Sequence, residues 1–209
     1  MGKKLNASTL MLTILCLMPF GISAFFYSRL PEMVATHWNA SWEPDGYSSR
    51  FFAAFILPLI ILAGQAVLCI SINHDPKMKH QPGALKETIK WMLPVLMNIV
   101  QILIISNALG YKIDGSILIT VYIGILFVIL GVMIPKCKQN YTIGIKLPWT
   151  LSSEENWNRT HKLAGIVWFW GGAAIIITSP LRLFWLLIGI LVLMAIIPIV
   201  YSFIIYKKA

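Results

Sequence analysis

The residues with chemistry to offer fall in two stretches. The first, Arg29 to Arg50, reads RLPEMVATHWNASWEPDGYSSR and gathers His37, Trp38, Asn39, Trp42, Asp45 and Tyr47. Aromatic anchors beside a few polar groups suit recognition of a peptide or a lipid. The same aromatics also suit a belt at a membrane interface, and the residues alone leave both readings open. His37 beside Glu43 or Asp45 is the nearest thing to a metal set. A single histidine without defined ligand spacing does not make one, so no metal and no cofactor are expected. Glu43-Pro44-Asp45-Gly46 predicts a turn, with proline presetting φ and glycine tolerating a positive φ.

The second stretch, Tyr141 to Gly165, reads YTIGIKLPWTLSSEENWNRTHKLAG. Pro148 restricts Leu147 to an extended conformation, so IGIKLPW is predicted to be non-helical. Ser152 followed by Glu155 is a capping-box pattern and predicts a helix beginning near Ser153. On that helix Trp157, His161 and Gly165 share a face at spacing four. An ordinary loop with a good cap and an interfacial tryptophan has the same pattern.

The elements that position these residues follow from charge placement. The chain has 209 residues, 58% of them hydrophobic and 12% charged. A soluble domain carries about 25% charged residues. Six windows lack Asp, Glu, Lys and Arg altogether: Leu5–Ser28, Phe51–His74, Trp91–Tyr111, Gly115–Pro135, Leu163–Leu181 and Leu183–Tyr206. Each is long enough for a helix to cross a hydrocarbon core about 30 Å thick. The expected fold is all-α, a polytopic membrane protein with six spans. The first apolar run is read as a retained span, because it continues through Phe25, Phe26 and Tyr27 past the small-residue cleavage pattern at Gly21-x-Ser23.

The net charge of +9 is a topology signal. With the N-terminus inside, thirteen of the 17 Lys and Arg fall on inner segments, from Lys3 and Lys4 to Lys207 and Lys208. Only Arg29, Arg50, Lys112 and Arg182 fall outside. That asymmetry predicts an N-in/C-in arrangement, with the lipid bilayer rather than nucleic acid as partner of the positive charge. The expected organisation is an N-terminal domain over 1–72, a flexible basic cytoplasmic connection over 73–90 and a C-terminal domain over 91–209. The outer loop is then 29–50 and the main cytoplasmic loop 135–162. In span three, Asn98 and Gln101 share a face, and such amides usually join helices. Gly124 and Gly131, seven apart, predict close helix contact. No Asp, Glu, Lys or Arg lies in any span, so no charged relay through the membrane is expected. No paired nucleophile and base stands out, so a binding protein is favoured over an enzyme or a coupled pump.

Together the two stretches resemble the SdpI/YfhL family of bacterial membrane proteins. HWNASWEPDGY resembles the N-terminal domain of unknown function of that family, on Pro31, His37, Asn39, Asp45, Gly46 and Tyr47. IGIKLPWTLSSEENWNRTHKLAG resembles its C-terminal signature, on Gly144, Ile145, Pro148, Trp149, Thr150, Trp157 and His161. Two positions depart from the pattern. Trp42 stands where the family often has Gly, and Lys146-Leu147 replaces Arg-Thr. Lysine keeps the charge but loses the bidentate fork. The resemblance implies an immunity protein of the cell membrane, protecting against a secreted, membrane-active antimicrobial peptide toxin. It further implies a receptor that draws a cytoplasmic transcriptional repressor to the membrane. His37, Trp38, Asn39, Trp42, Asp45 and Tyr47 are then the expected toxin contacts, and Gly144, Lys146, Pro148, Trp149, Thr150, Trp157 and His161 the signalling loop. The alternative is a small-solute or lipid transporter using the polar face of span three.

Overall fold

The computed structural model describes residues 7–111 and 113–208. Lys3, Lys4 and Lys112, counted in the charge asymmetry, lie outside the described residues, as does the start of the first window. The elements in chain order are α1 (Ala7–Phe26), a hairpin of β1 (Met33–Trp38) and β2 (Pro44–Ser49), α2 (Leu57–His74), α3 (Gly83–Ala108), α4 (Gly115–Met133), the short α5 (Pro148–Ser152), α6 (Glu154–Thr178) and α7 (Phe184–Lys208). Among the described residues six helices, all but α5, are long and apolar enough to cross a membrane, as the charge-free windows predict. The chain is a multi-pass membrane protein. Helices α3 and α6 start well before their windows, at Gly83 and Glu154. A charge-free window measures what hydrocarbon tolerates. A helix continues past it wherever water or headgroups accept the charged turns.

The chain folds as two compact units, Met1–Cys69 with Ile89–Gly115, and Ile70–Thr88 with Ser116–Ala209. In the first unit, Val34 of β1 is buried with Leu30, Ala53, Ala54, Ile104 and Ile105. Here the structure corrects the sequence reading of a loop. Residues 33–49 form an antiparallel hairpin with Val34 opposite Ser48 and Ala35 opposite Tyr47. Its turn is not at Glu43–Gly46. The Asn39 side-chain oxygen accepts from Ser41 N at 2.9 Å and Glu43 N at 3.0 Å, so the chain reverses over 39–43 and Pro44 already lies in β2. An asparagine oxygen that replaces a backbone acceptor closes a turn as well as Pro-Asp-Gly would.

Prolines explain the polar residues of the spans. A proline inside a helix has no N–H for the carbonyl four residues back. In α1, Pro19 frees the Leu15 carbonyl, and Asn98 Nδ2 of α3 donates to it at 2.8 Å. In α3, Pro94 frees the Lys90 carbonyl, and Gln65 Nε2 of α2 donates to it at 2.9 Å. A π turn over Phe52–Ile56 leads into α2, and its bonds reach five residues back. Pro58 therefore frees the Ala53 carbonyl, which receives Gln101 Nε2 at 3.0 Å. In the second unit, Pro198 of α7 frees the Met194 carbonyl, and Trp168 Nε1 of α6 fills it at 3.1 Å. A carbonyl without a donor is unfavourable in hydrocarbon, and a bond to it from a neighbouring helix contributes about 1 kcal/mol net. Each amide or indole thus completes a neighbouring helix, and Asn98 and Gln101 join helices as their spacing suggests.

In the second unit α4 and α6 run antiparallel at close range. A methyl group on Gly124 would lie 2.8 Å from the Gly172 carbonyl oxygen, and one on Gly131 would lie 2.9 Å from that of Gly165. The seven-residue spacing of Gly124 and Gly131 meets the same spacing of Gly165 and Gly172, and the backbones touch where no side chain intervenes.

Candidate functional site

In the second unit, residues 137–161 build a buried polar knot at the start of α6. Asn140, Thr150, Trp157, Thr160 and His161 are all fully buried. Asn140 Oδ1 accepts from Thr142 N at 2.8 Å and Ile143 N at 2.6 Å, while its Nδ2 donates to the Lys138 and Ile143 carbonyls. One asparagine thereby closes the bend that leads to Gly144. That glycine has φ +117°, and a Cβ on it would stand 2.5 Å from His161 Nε2 and 2.8 Å from the Trp157 ring. Both its backbone angle and the occupied space therefore require glycine.

Trp157 and His161, one turn apart, stack with centroids 4.0 Å apart. Trp157 Nε1 donates to the Cys137 carbonyl at 2.7 Å. His161 Nε2 lies 2.9 Å from Ile145 N, an obligatory donor, so Nε2 is an acceptor. Nδ1 lies 2.7 Å from the Trp157 carbonyl, an obligatory acceptor, so Nδ1 carries the proton. The imidazole is therefore held neutral in one tautomer with both nitrogens spent. It braces the loop.

Leu147 is extended, as its proline neighbour demands, at φ −118° and ψ 154°. The next residues correct the non-helical expectation, because Pro148 opens the five-residue α5. Proline at a first helical position gives up no bond and supplies the right φ. Thr150 Oγ1 accepts from Leu147 N at 2.9 Å and donates to the Ile145 carbonyl at 2.8 Å. Trp149 reaches α7, donating Nε1 to Ser202 Oγ at 2.9 Å and stacking on Tyr206. The cap of α6 is Ser153, which accepts from Asn156 N at 3.2 Å, one residue beyond the predicted Ser152. Ser152 already ends α5. Lys146 Nζ donates to the Tyr141 and Thr142 carbonyls at 3.0 and 3.1 Å, so its charge holds its own loop.

The connection between α2 and α3, expected to be flexible, is a dock for this loop. Asp75 Oδ2 accepts from Tyr141 N at 2.8 Å and from Thr142 Oγ1 at 2.9 Å, while Oδ1 takes Lys77 N. Burial raises the Asp75 carboxyl, but these hydrogen bonds together outweigh it and hold it below its usual range. Gln81 pairs with both backbone groups of Lys138, at 2.9 and 2.8 Å. Polar composition suggested a solvated connection, but the side chains find fixed backbone partners instead. His74 and His80 are exposed. Burial also pushes the Cys137 thiol up to about 11, against the opposing Asn140 amide bond, so it is no reactive thiolate.

In the first unit the hairpin presents the other candidate set. His37 Nδ1 meets Asp45 Oδ1 at 2.6 Å, with side chains 72% and 44% exposed. Tyr47, opposite Ala35, is exposed on the same face, as is Met33. Gly46 lies beneath His37, where a Cβ would approach the histidine Cβ to 2.8 Å. Trp38 is half-buried against the core instead. Trp42 is half-buried too and has φ +61°, the left-handed region that favours glycine, at the position where the family often has Gly. Asn39 spends its oxygen on the turn. His37, Asp45 and Tyr47 therefore face outward, while Asn39, Trp38 and Trp42 shape and anchor the hairpin.

The SdpI/YfhL protein family matches residues 136–202, a segment that contains the knot with Trp149 and Ser202. The Domain of unknown function (DUF1648) matches residues 14–62, which contain the hairpin. The segment from α5 through most of α7 is thus similar to the SdpI/YfhL family. Among curated proteins it is similar to "Immunity protein SdpI" of Bacillus subtilis (strain 168), 28% identical over 155 residues, covering 74% of this chain and 72% of that protein. No solved structure matches it.

Most signature residues turn out to be bonded to one another or to residues the motif does not include. Asp75, Gln81, Asn140 and Ser202 escaped the sequence reading. Asp75-Pro76 carried a usable signal, since aspartate before proline is a helix-start pattern, and it does cap a short 3₁₀ turn. Asn140 before Thr142 carried the pattern of a side-chain-closed turn. Nothing in its local sequence marked Ser202, which gains its role because α7 passes Trp149 and Asn156.

Proposed function

We propose that this protein is a membrane immunity protein that protects its cell from a secreted, membrane-active peptide toxin. The observation that carries the reading is its similarity to Immunity protein SdpI over 74% of the chain, together with the SdpI/YfhL match over the segment that holds most of the knot. The protein works by binding, and catalyses no reaction. Its ends lie in the cytoplasm, following the excess of inner Lys and Arg. The hairpin after the first span then stands outside, and the knot after the fourth lies inside. The exposed hairpin face, with His37, Asp45 and Tyr47, contacts the toxin, held in shape by Trp38, Asn39 and Trp42. The knot fixes the inner surface from which Tyr141, Lys146 and Pro148 are exposed, and that surface receives a cytoplasmic transcriptional repressor. Toxin binding shifts the population of states the repressor recognises, and only its differential affinity for them can drive the shift.

The test is a killing assay on cells lacking the protein and complemented with the wild-type chain or with His37→Ala/Tyr47→Ala. Protection by wild type, lost in the double variant at equal membrane abundance, is the expected result. Unchanged killing with wild type, together with protein-dependent solute uptake, would replace immunity by transport. The span-three amides offer transport little support, since their nitrogens are bonded to neighbouring helices.

A further inference from the structure

Where α6 begins and α7 ends, the second unit has a cleft of about 400 Å³ that none of the preceding chemistry uses. Glu155 and Arg159 line it from α6, and Tyr201, Ile204, Ile205 and Lys208 from α7. Two cations face one carboxylate, so the lining favours a monoanion. Arg159 Nη1 reaches Glu155 Oε1 at 3.2 Å, and the guanidinium also engages Tyr201. A guanidinium has five N–H donors in a fork suited to phosphate, so donors remain for a ligand. The Glu155–Arg159 pair is exposed on both sides and holds the arginine only weakly.

The cleft's position narrows the ligand class. Both helices are long and apolar enough to cross a membrane, and the cleft uses the first turns of one and the last turns of the other. That is the depth at which lipid headgroups sit. Its wall is mixed. Ile204 and Ile205 give it an apolar side beside the charges, and a free inorganic anion would leave that side unfilled. Tyr206, a further wall residue, stacks on Trp149, so an occupant would lie against the anchor of the signature loop.

We propose that this cleft binds the phosphodiester headgroup of an anionic phospholipid. Arg159 and Lys208 contact the phosphate, the Tyr201 hydroxyl lies beside it, and Ile204 and Ile205 cover the glycerol and the upper acyl chain. The site stands independently of the immunity role.

The experiment is native mass spectrometry of the full chain, delipidated in detergent and titrated with phosphatidylglycerol, phosphatidylcholine or inorganic phosphate. Wild type should retain phosphatidylglycerol about tenfold more tightly than phosphatidylcholine, which corresponds to about 1.4 kcal/mol. Arg159→Gln/Lys208→Gln should lose that preference at unchanged thermal stability. The charge-matched Lys79→Gln/Lys136→Gln control should keep it. Equal retention of the two lipids would overturn the proposal, as would an equal loss in the control. Inorganic phosphate binding as tightly as phosphatidylglycerol would overturn it in favour of a free-anion site.

Discussion

His37 and His161 show how differently the two candidate regions use one residue type. His37 meets Asp45 at 2.6 Å on a face where the histidine side chain is 72% exposed. His161 meets Ile145 N at 2.9 Å with no exposed surface. Water competes with the first contact, and exposed pairs of this kind contribute about 0–1 kcal/mol. The second cannot be replaced by water, and a buried group left without its partner costs about 1–3 kcal/mol. A surface made of weak contacts can change its side chains without unfolding, and so is free to be shaped by a ligand. A saturated buried network has to be kept whole.

That comparison breaks most sharply at Gly144. Gly144→Ala forces a methyl group into the Trp157 and His161 rings at a positive φ, and is expected to cost about 3 kcal/mol or more. Thermal unfolding in detergent should show a large fall in Tm, and an unchanged Tm would remove the knot as a rigid unit. Trp157→Phe keeps a ring beside His161 but leaves a void and strands the Cys137 carbonyl, for an expected loss of about 1–3 kcal/mol from the stranded group alone. The proline pairs give a smaller effect. Asn98→Leu should cost about 1 kcal/mol in the wild-type chain and less in Pro19→Ala, where the Leu15 carbonyl regains its helical donor. A double-mutant cycle without coupling would show that the amide does not serve the freed carbonyl.

Asp75 gives a pH test of the dock. Its carboxyl is depressed in the folded chain, so its stabilisation is fully present above the ordinary aspartate value of about 3.9. The contribution is lost as pH falls through the folded value. Asp75→Asn should lower Tm near neutral pH and flatten the acid limb below about pH 4. Identical acid limbs would remove Asp75 from the dock's energetics. The smallest stability effect belongs to the hairpin. His37→Ala should move Tm by an amount corresponding to about 0.5 kcal/mol or less, while protection against the toxin falls. A large loss of stability there would make the hairpin face structural and erase the contrast with the knot.

Much of the helical frame was legible because hydrocarbon permits so little. Six charge-free windows, the Gly124/Gly131 spacing and the Trp157/His161/Gly165 face each reflect one strong local constraint. The hairpin was not legible in the same way. Its strands are short and its register is irregular around His37, so no clean alternation marks them. The predicted turn at Glu43–Gly46 lies too late because Asn39 offers an equally good acceptor a few residues earlier. Of the expected contact residues, Trp38 and Trp42 looked equivalent to Tyr47 until packing separated half-buried anchors from the exposed ring.

By itself, the sequence determined that this chain crosses a membrane repeatedly, where its helices run and which residue types sit at their rims. Apolar length and the cost of charge in lipid are local properties that can be read along the chain. Only the tertiary structure decided which partner each polar group takes: Asn98 for the Leu15 carbonyl, Gln81 for Lys138, Ser202 for Trp149. Those pairings join residues tens of positions apart. A hydrogen bond depends on where two groups meet in space, and neither group's immediate neighbours in the chain specify the other.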